Sequence, residues 1–255
     1  MKKSVSFKIA MVILIYVLFL ISSIGIELLP IKETSILNSI LQFSCSCILA
    51  WFSYSIVKTF KITNNKILSN KITNVWLILL GVIMLLFLLI VTNVPNNVEE
   101  ILNGGSNLLI ISFLVAISTG IFEESLARLL TFSAFLKMFK TKKYTLVWAS
   151  IASSCLFGLL HLSNLTMQSF NTTMQQIFYA TVLGLCFSVI RIRFNGLSYV
   201  VLLHFLIDFQ PTIANSAATS SSWGEILLIF MPIAIVSIIC LILLNKDNKR
   251  LELLV

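Results

Sequence analysis

Charged side chains are scarce in this sequence. Lys, Arg, Asp and Glu make up 11% of its 255 residues, where a soluble domain carries roughly 25%. Most of the chain therefore has no water to face. Interruptions are scarce as well, with nine glycines and four prolines in all. Apolar runs near the ~20 residues that cross a bilayer recur from end to end with little to break them. A soluble globular domain is excluded. So is a transmembrane barrel, whose short strands need a turn after every crossing. None of the five cysteines (Cys45, Cys47, Cys155, Cys186, Cys240) forms a CxxC pair, and all lie in apolar runs. They read as buried free thiols rather than as disulfides or metal ligands. The apolar run 9–26 is long for a signal peptide and no convincing A-x-A site follows it, so an uncleaved first helix is expected.

What is present is an all-α pattern: a polytopic integral membrane helix bundle of about eight transmembrane helices. The spans are expected near 8–28, 36–57, 75–92, 107–135, 144–162, 173–190, 196–209 and 223–244. The fourth reads as a crossing segment with an amphipathic extension, and 94–107 reads as a loop. Charge placement tests this series independently. With a cytoplasmic N-terminus, 16 of the 18 basic residues fall in the five cytoplasmic segments, Lys32 alone falls outside, and Arg128 lies within a span. This alternation is what the positive-inside rule asks of eight spans with both termini cytoplasmic. The net charge of +8 follows from topology and calls for no nucleic-acid partner; no stretch combines basic and aromatic surface residues. One transmembrane domain over 1–255 is expected.

An ionisable residue at the centre of a membrane helix costs at least ~2.5–3.5 kcal/mol, so each one is a candidate functional residue. Six qualify: Glu123, Glu124 and Arg128 in the fourth span, His161 in the fifth, His204 and Asp208 in the seventh. Both histidines of the chain are among them. Glu124 and Arg128 are four apart and share a helix face, as do Phe157 and His161, and His204 and Asp208. Three polar faces avoid lipid by packing together, so spans four, five and seven are expected to enclose a polar pocket. Carboxylates, imidazoles and a guanidinium form the inventory of a hydrolase that activates water. Other readings exist. A Glu–Arg pair alone serves as a structural clamp. Two histidines on separate helices ligate haem in membrane cytochromes, but haem ligation has no use for adjacent glutamates. Carboxylates and histidines also line ion pathways, but paired Gly- or Pro-interrupted helices are missing here.

The residues form three ordered motifs. Glu123-Glu124-Ser125-Leu126-Ala127-Arg128 fits EExxxR, Phe157-Gly158-Leu159-Leu160-His161 fits FxxxH, and His204-Phe205-Leu206-Ile207-Asp208 fits HxxxN/D. Spread in this order over separate hydrophobic helices, they resemble the CPBP family of CAAX prenyl endopeptidases and bacteriocin-processing enzymes, also called the Abi family. The resemblance covers about 107–210. It implies an intramembrane endopeptidase, in a bacterial cell membrane, with its site opening towards the cytoplasm and a membrane-associated peptide or protein as substrate.

On this resemblance Glu123, with His161, takes the proton of the attacking water. Glu124, tied to Arg128, shapes the site. His204 stabilises the oxyanion with Asp208 beside it; Asp208 stands where the family often has Asn. The family is labelled metalloprotease, and a metal-free reading is also held. No HExxH occurs on one helix, but His161, His204 and a glutamate in a His₂Glu zinc site remain open. The alternative function within the same fold is a non-proteolytic bacteriocin immunity or membrane interaction protein.

Overall fold

The computed structural model describes residues 4–32, 34–211, 221–248 and 252–254. It is helical throughout. Among the described residues β-pairing is limited to one bridge, Thr63 with Leu253. In chain order the helices are α1 (Val5–Glu27), α2 (Ile36–Val57), α3 (Lys71–Leu86), α4 (Val94–Asn103), α5 (Gly105–Glu124), α6 (Phe132–Met138), α7 (Thr145–Leu160), α8 (Phe170–Arg193), α9 (Ser198–Asp208) and α10 (Trp223–Asp247). A π-helical turn, Phe87–Val91, ends α3; a longer one, Ser125–Thr131, joins α5 to α6; and a 3₁₀ turn, His161–Thr166, follows α7. Seven stretches are long and apolar enough to cross a membrane, and α9 is a shorter apolar helix. Helices thus stand at all eight expected positions, and seven of them are long enough to cross a membrane.

Local chemistry explains the starts. Ser4, Ser35, Ser169 and Ser222 each accept the N–H three residues on and cap α1, α2, α8 and α10. Ser222 and Glu225 complete a reciprocal capping box. One expectation is corrected. The stretch 94–107 is not a loop: α4 fills most of it, opened by Asn93 in the left-handed region (φ 52°) and a proline in its first turn. Ten residues are too few to cross a bilayer, which hid α4 from a search for spans. The fourth span, expected as a crossing segment with an amphipathic extension, is Gly105–Met138, one helical run of 34 residues, and Phe132, Ala134 and Leu136 near its end are fully buried.

The chain divides into two compact units. The first comprises Met1–Lys58, Leu85–Leu130 and Leu197–Asn215. In it α5 is central and packs against α2, α4 and α9, while α1 lies on α2. Phe19 of α1 stacks on Phe122 of α5 with centroids 4.0 Å apart. Ile101 of α4 joins Ala116 of α5 and Phe209 after α9 in a buried cluster flanked by Val98 and Phe205. The outer faces of α1 and α2 remain apolar and exposed at Ile13, Ile21, Ile48 and Trp51, as a lipid-facing surface requires.

The second unit comprises Thr59–Met84, Thr131–Gly196 and Ser216–Val255. Here α8 is central, packed by α7 and α10, with α6 against α7. Gly158 of α7 is a point of close approach: a Cβ there would run into Thr181 of α8 and lie 2.7 Å from the Ile177 carbonyl. Asparagine and aspartate side chains pin the loops of this unit. Asn195 (φ 47°) accepts from the Ile62 and Thr63 amides and donates to the Thr63 carbonyl at 2.7 Å. Asn248 brackets the amide and carbonyl of Leu68, both at 2.8 Å. Asp247 accepts from the Asn70 amide and the Thr73 hydroxyl. Arg191 is no loop charge: it sits in the last turn of α8 and is buried, and so is Lys8 in α1. The five cysteines are free as expected, but Cys155 is exposed and Cys45 and Cys47 are half-buried, so only Cys186 and Cys240 are buried thiols.

Candidate active site

The first unit holds five of the six candidate residues. α5 delivers Glu123 and Glu124 on its last turn, and the π turn that follows carries Arg128. Single π turns inside α-helices are rare and gather at functional sites. Glu124 Oε2 and Arg128 Nε are 3.1 Å apart, and both side chains are essentially inaccessible. The four-residue spacing thus performs as its sequence pattern foretold.

α9 supplies the other side of the cluster. It reaches α5 closely because Gly120, one turn before Glu124, has no side chain. A Cβ on Gly120 would lie 3.2 Å from the Val201 carbonyl and 3.7 Å from the His204 Cβ. With Ala116, Gly120 forms the small-residue spacing that lets membrane helices approach. His204 is thereby brought against α5. Its Nδ1 lies 2.7 Å from Glu124 Oε1. Its Nε2 faces two further carboxylates, Asp208 Oδ2 at 3.4 Å and Glu123 Oε2 at 3.6 Å. A carboxylate only accepts hydrogen bonds when ionised, so Nδ1 carries a proton and donates it to Glu124.

The result is a chain of charge running from the packed interior to an accessible end. Arg128 and Glu124 are sealed off; the His204 side chain is 10% accessible, Glu123 23% and Asp208 32%. The interior pair fixes the imidazole, and the two accessible carboxylates flank its other edge. Phe205, which stacks on Phe209 at 5.0 Å and meets Phe113 of α5 edge-on at 5.4 Å, ties the neighbouring face of α9 to α5.

The sixth residue, His161, belongs to the second unit, as the cap of α7. Its Nδ1 lies 3.1 Å from the Phe157 carbonyl, and its ring meets the Phe157 ring edge-on at 5.1 Å. This is the physical content of FxxxH: one residue holds the imidazole by both backbone and ring. A carbonyl can only accept, so Nδ1 carries a proton and donates it to Phe157 O. Spans four and seven come together as α5 and α9; span five packs with its own unit. Gly120 and Gly158 escaped the reading of the sequence although Gly158 lies inside a motif, because glycine bears no functional group to notice. The Glu124–His204 contact was equally hidden, since 80 residues separate its partners.

Among the described residues no three His, Cys, Asp or Glu side chains are arranged to hold a metal ion. His204 has carboxylates at both nitrogens, and His161 has only Nε2 to offer.

No curated protein and no solved structure matches the chain. The stretch that contains all six residues and all three motifs does have a counterpart: residues 105–210 match the Rce1-like family, type II CAAX prenyl endopeptidases, consistent with the CPBP resemblance.

Proposed function

We propose that this integral membrane protein is an intramembrane endopeptidase of CAAX type, acting on a membrane-associated peptide or protein by water that glutamate and histidine activate. The observation that supports this most directly is the Arg128–Glu124–His204 relay at 3.1 and 2.7 Å, with Glu123 and Asp208 at its accessible end. It is an oriented imidazole with acceptors on both edges, next to a carboxylate that water can reach.

Glu123 removes a proton from water as the water oxygen bonds to the scissile carbonyl carbon. The carbonyl oxygen becomes the oxyanion of a tetrahedral intermediate. His204, doubly protonated and held by Glu124, donates from Nε2 to that oxygen. The C–N bond then breaks, and the proton on Glu123 passes to the leaving amine. Asp208, next to Nε2, supports the charged imidazole. Arg128 neutralises Glu124, so the interior of the relay carries no uncompensated charge. His161 is given the proton-shuttle role that the family motif implies for it.

The site is proposed to open towards the side that bears the basic loops. The deciding experiment is proteomics of membrane peptides from cells with the wild-type protein and with Glu123→Gln. Cleavage products that require wild type support the proposal. Identical peptide profiles, with both proteins equally abundant, would refute it and favour a non-proteolytic immunity or interaction role.

A further inference from the structure

A second site lies in the second unit, where three candidate spans end together: the C-terminus of α6, the N-terminus of α7 and the C-terminus of α10. Here a pocket of about 350 Å³ is lined by Lys140, Lys142, Lys143, Thr141, Asn245 and Leu253, among others. Among its described lining residues none is acidic. The nearest carboxylate on α10, Asp247, is taken up by Asn70 and Thr73.

The pocket is built rather than incidental. Its three lysines lie on the turn between α6 and α7, and that turn is tied from both directions. Thr145 donates its hydroxyl to the Phe139 and Lys142 carbonyls at 2.9 and 2.7 Å. From α10, Asn245 accepts from the Leu146 amide and donates to the Lys143 carbonyl. The turn's shape therefore does not depend on its lysines, whose side chains are exposed. Tyr144 lies beneath the Lys143 ammonium at 5.6 Å. Tyr144 at the N-cap makes no side-chain bond, so the first-turn amides of Thr145 and Val147 add to the positive potential. The wall opposite is Leu253, held by the pairing of its segment with residues 62 and 63.

Three cations, polar hydroxyls and amides, and an apolar wall at a bundle mouth suit a phosphate joined to an acyl chain. Basic pockets between membrane helices at the interface recruit anionic headgroups in this way. We propose that this pocket binds the phosphate headgroup of an anionic phospholipid from the surrounding leaflet, apart from the Glu–His cluster. The proposal does not depend on proteolysis.

The test is native mass spectrometry of the full-length protein in detergent, with phosphatidylglycerol or phosphatidylcholine added. Wild type should retain phosphatidylglycerol in preference. Lys140→Ala/Lys142→Ala/Lys143→Ala should weaken retention on the order of a hundredfold, from the loss of three interfacial lysines. A control triple at Lys61, Lys66 and Lys71, equally exposed and outside the pocket, should retain it as wild type does. Equal retention by the first triple and wild type would overturn the proposal, as would equal retention of the two lipids. The same holds if millimolar inorganic phosphate displaces the lipid completely, because the site would then be one for a soluble anion. Since Asn245 and Thr145 hold the turn, the first triple should melt with wild type in phosphatidylcholine alone. A large drop there would mean that the lysines are structural, and would also refute the assignment.

Discussion

Adjacent in sequence, Glu123 and Glu124 meet different surroundings, and their variants should fail differently. Glu123 is partly accessible and faces His204 Nε2. Glu123→Gln keeps its size but cannot take a proton, so cleavage should vanish while the thermal melting curve stays that of wild type. Glu124 is sealed between Arg128 and His204. Arg128→Ala leaves that carboxylate without its cation, and losing one partner of a buried pair costs about 3–5 kcal/mol. Low abundance and early melting are expected; an abundant, stable and inactive Arg128→Ala protein would instead make Arg128 part of the chemistry. Asp208→Asn should keep most activity, because Asn still fits beside Nε2 and carries a donor. On the metal-free mechanism proposed above, exhaustive treatment with a strong chelator should leave cleavage intact. Loss of activity that one equivalent of zinc restores would show that a metal takes part. At this scale the sequence was informative wherever partners lie one helical turn apart, as Glu124 with Arg128 and Phe157 with His161 do. It was silent on Glu124 with His204, because nothing in a helix period says which face of α9 meets α5.

At the scale of the helices, the decisive contact is made by a missing side chain. Gly120 lets α9 come close enough for His204 to reach Glu124. Gly120→Ala places a methyl group 3.2 Å from the Val201 carbonyl, so α9 must retreat by a few tenths of an ångström. Small displacements of a catalytic group cost up to about 100-fold in rate. The expected outcome is kcat lowered at least tenfold with little change in KM and a folded protein, read from steady-state cleavage and melting together. Unchanged kcat would mean that the α5–α9 spacing is slack. Hydropathy marked all eight positions because seven are long apolar runs and α9, though short, is apolar as well. It missed α4, whose ten residues show polar Asn96, Glu99 and Glu100 outward and only Val98 and Ile101 inward. The π turn after Glu124 was also invisible, since Ser125-Leu126-Ala127 reads as ordinary helix.

For the whole molecule, the asymmetry of basic residues predicts that α4 faces the outside and both termini the cytoplasm. Glu99→Cys, at an exposed position of α4, should react with an impermeant thiol reagent added to intact cells. Labelling only after the membrane is breached would invert the topology. On the side of the basic loops, order rests on neutral amide side chains more than on ion pairs: Asn195, Asn245 and Asn248 hold residues 62–63, 143–146 and 68. Asn195 is followed by Gly196, and an asparagine before glycine is the dipeptide most prone to lose ammonia through a succinimide. Its left-handed backbone and its three hydrogen bonds restrain that ring closure while the loop is in place. Each transient release of the loop exposes it. The product, aspartate or its iso form, has no N–H to give the Thr63 carbonyl and sets one acceptor against another. Ageing at residue 195 would thus cost the clamp one of its three hydrogen bonds, while the two donated by the Ile62 and Thr63 amides could still form to an aspartate.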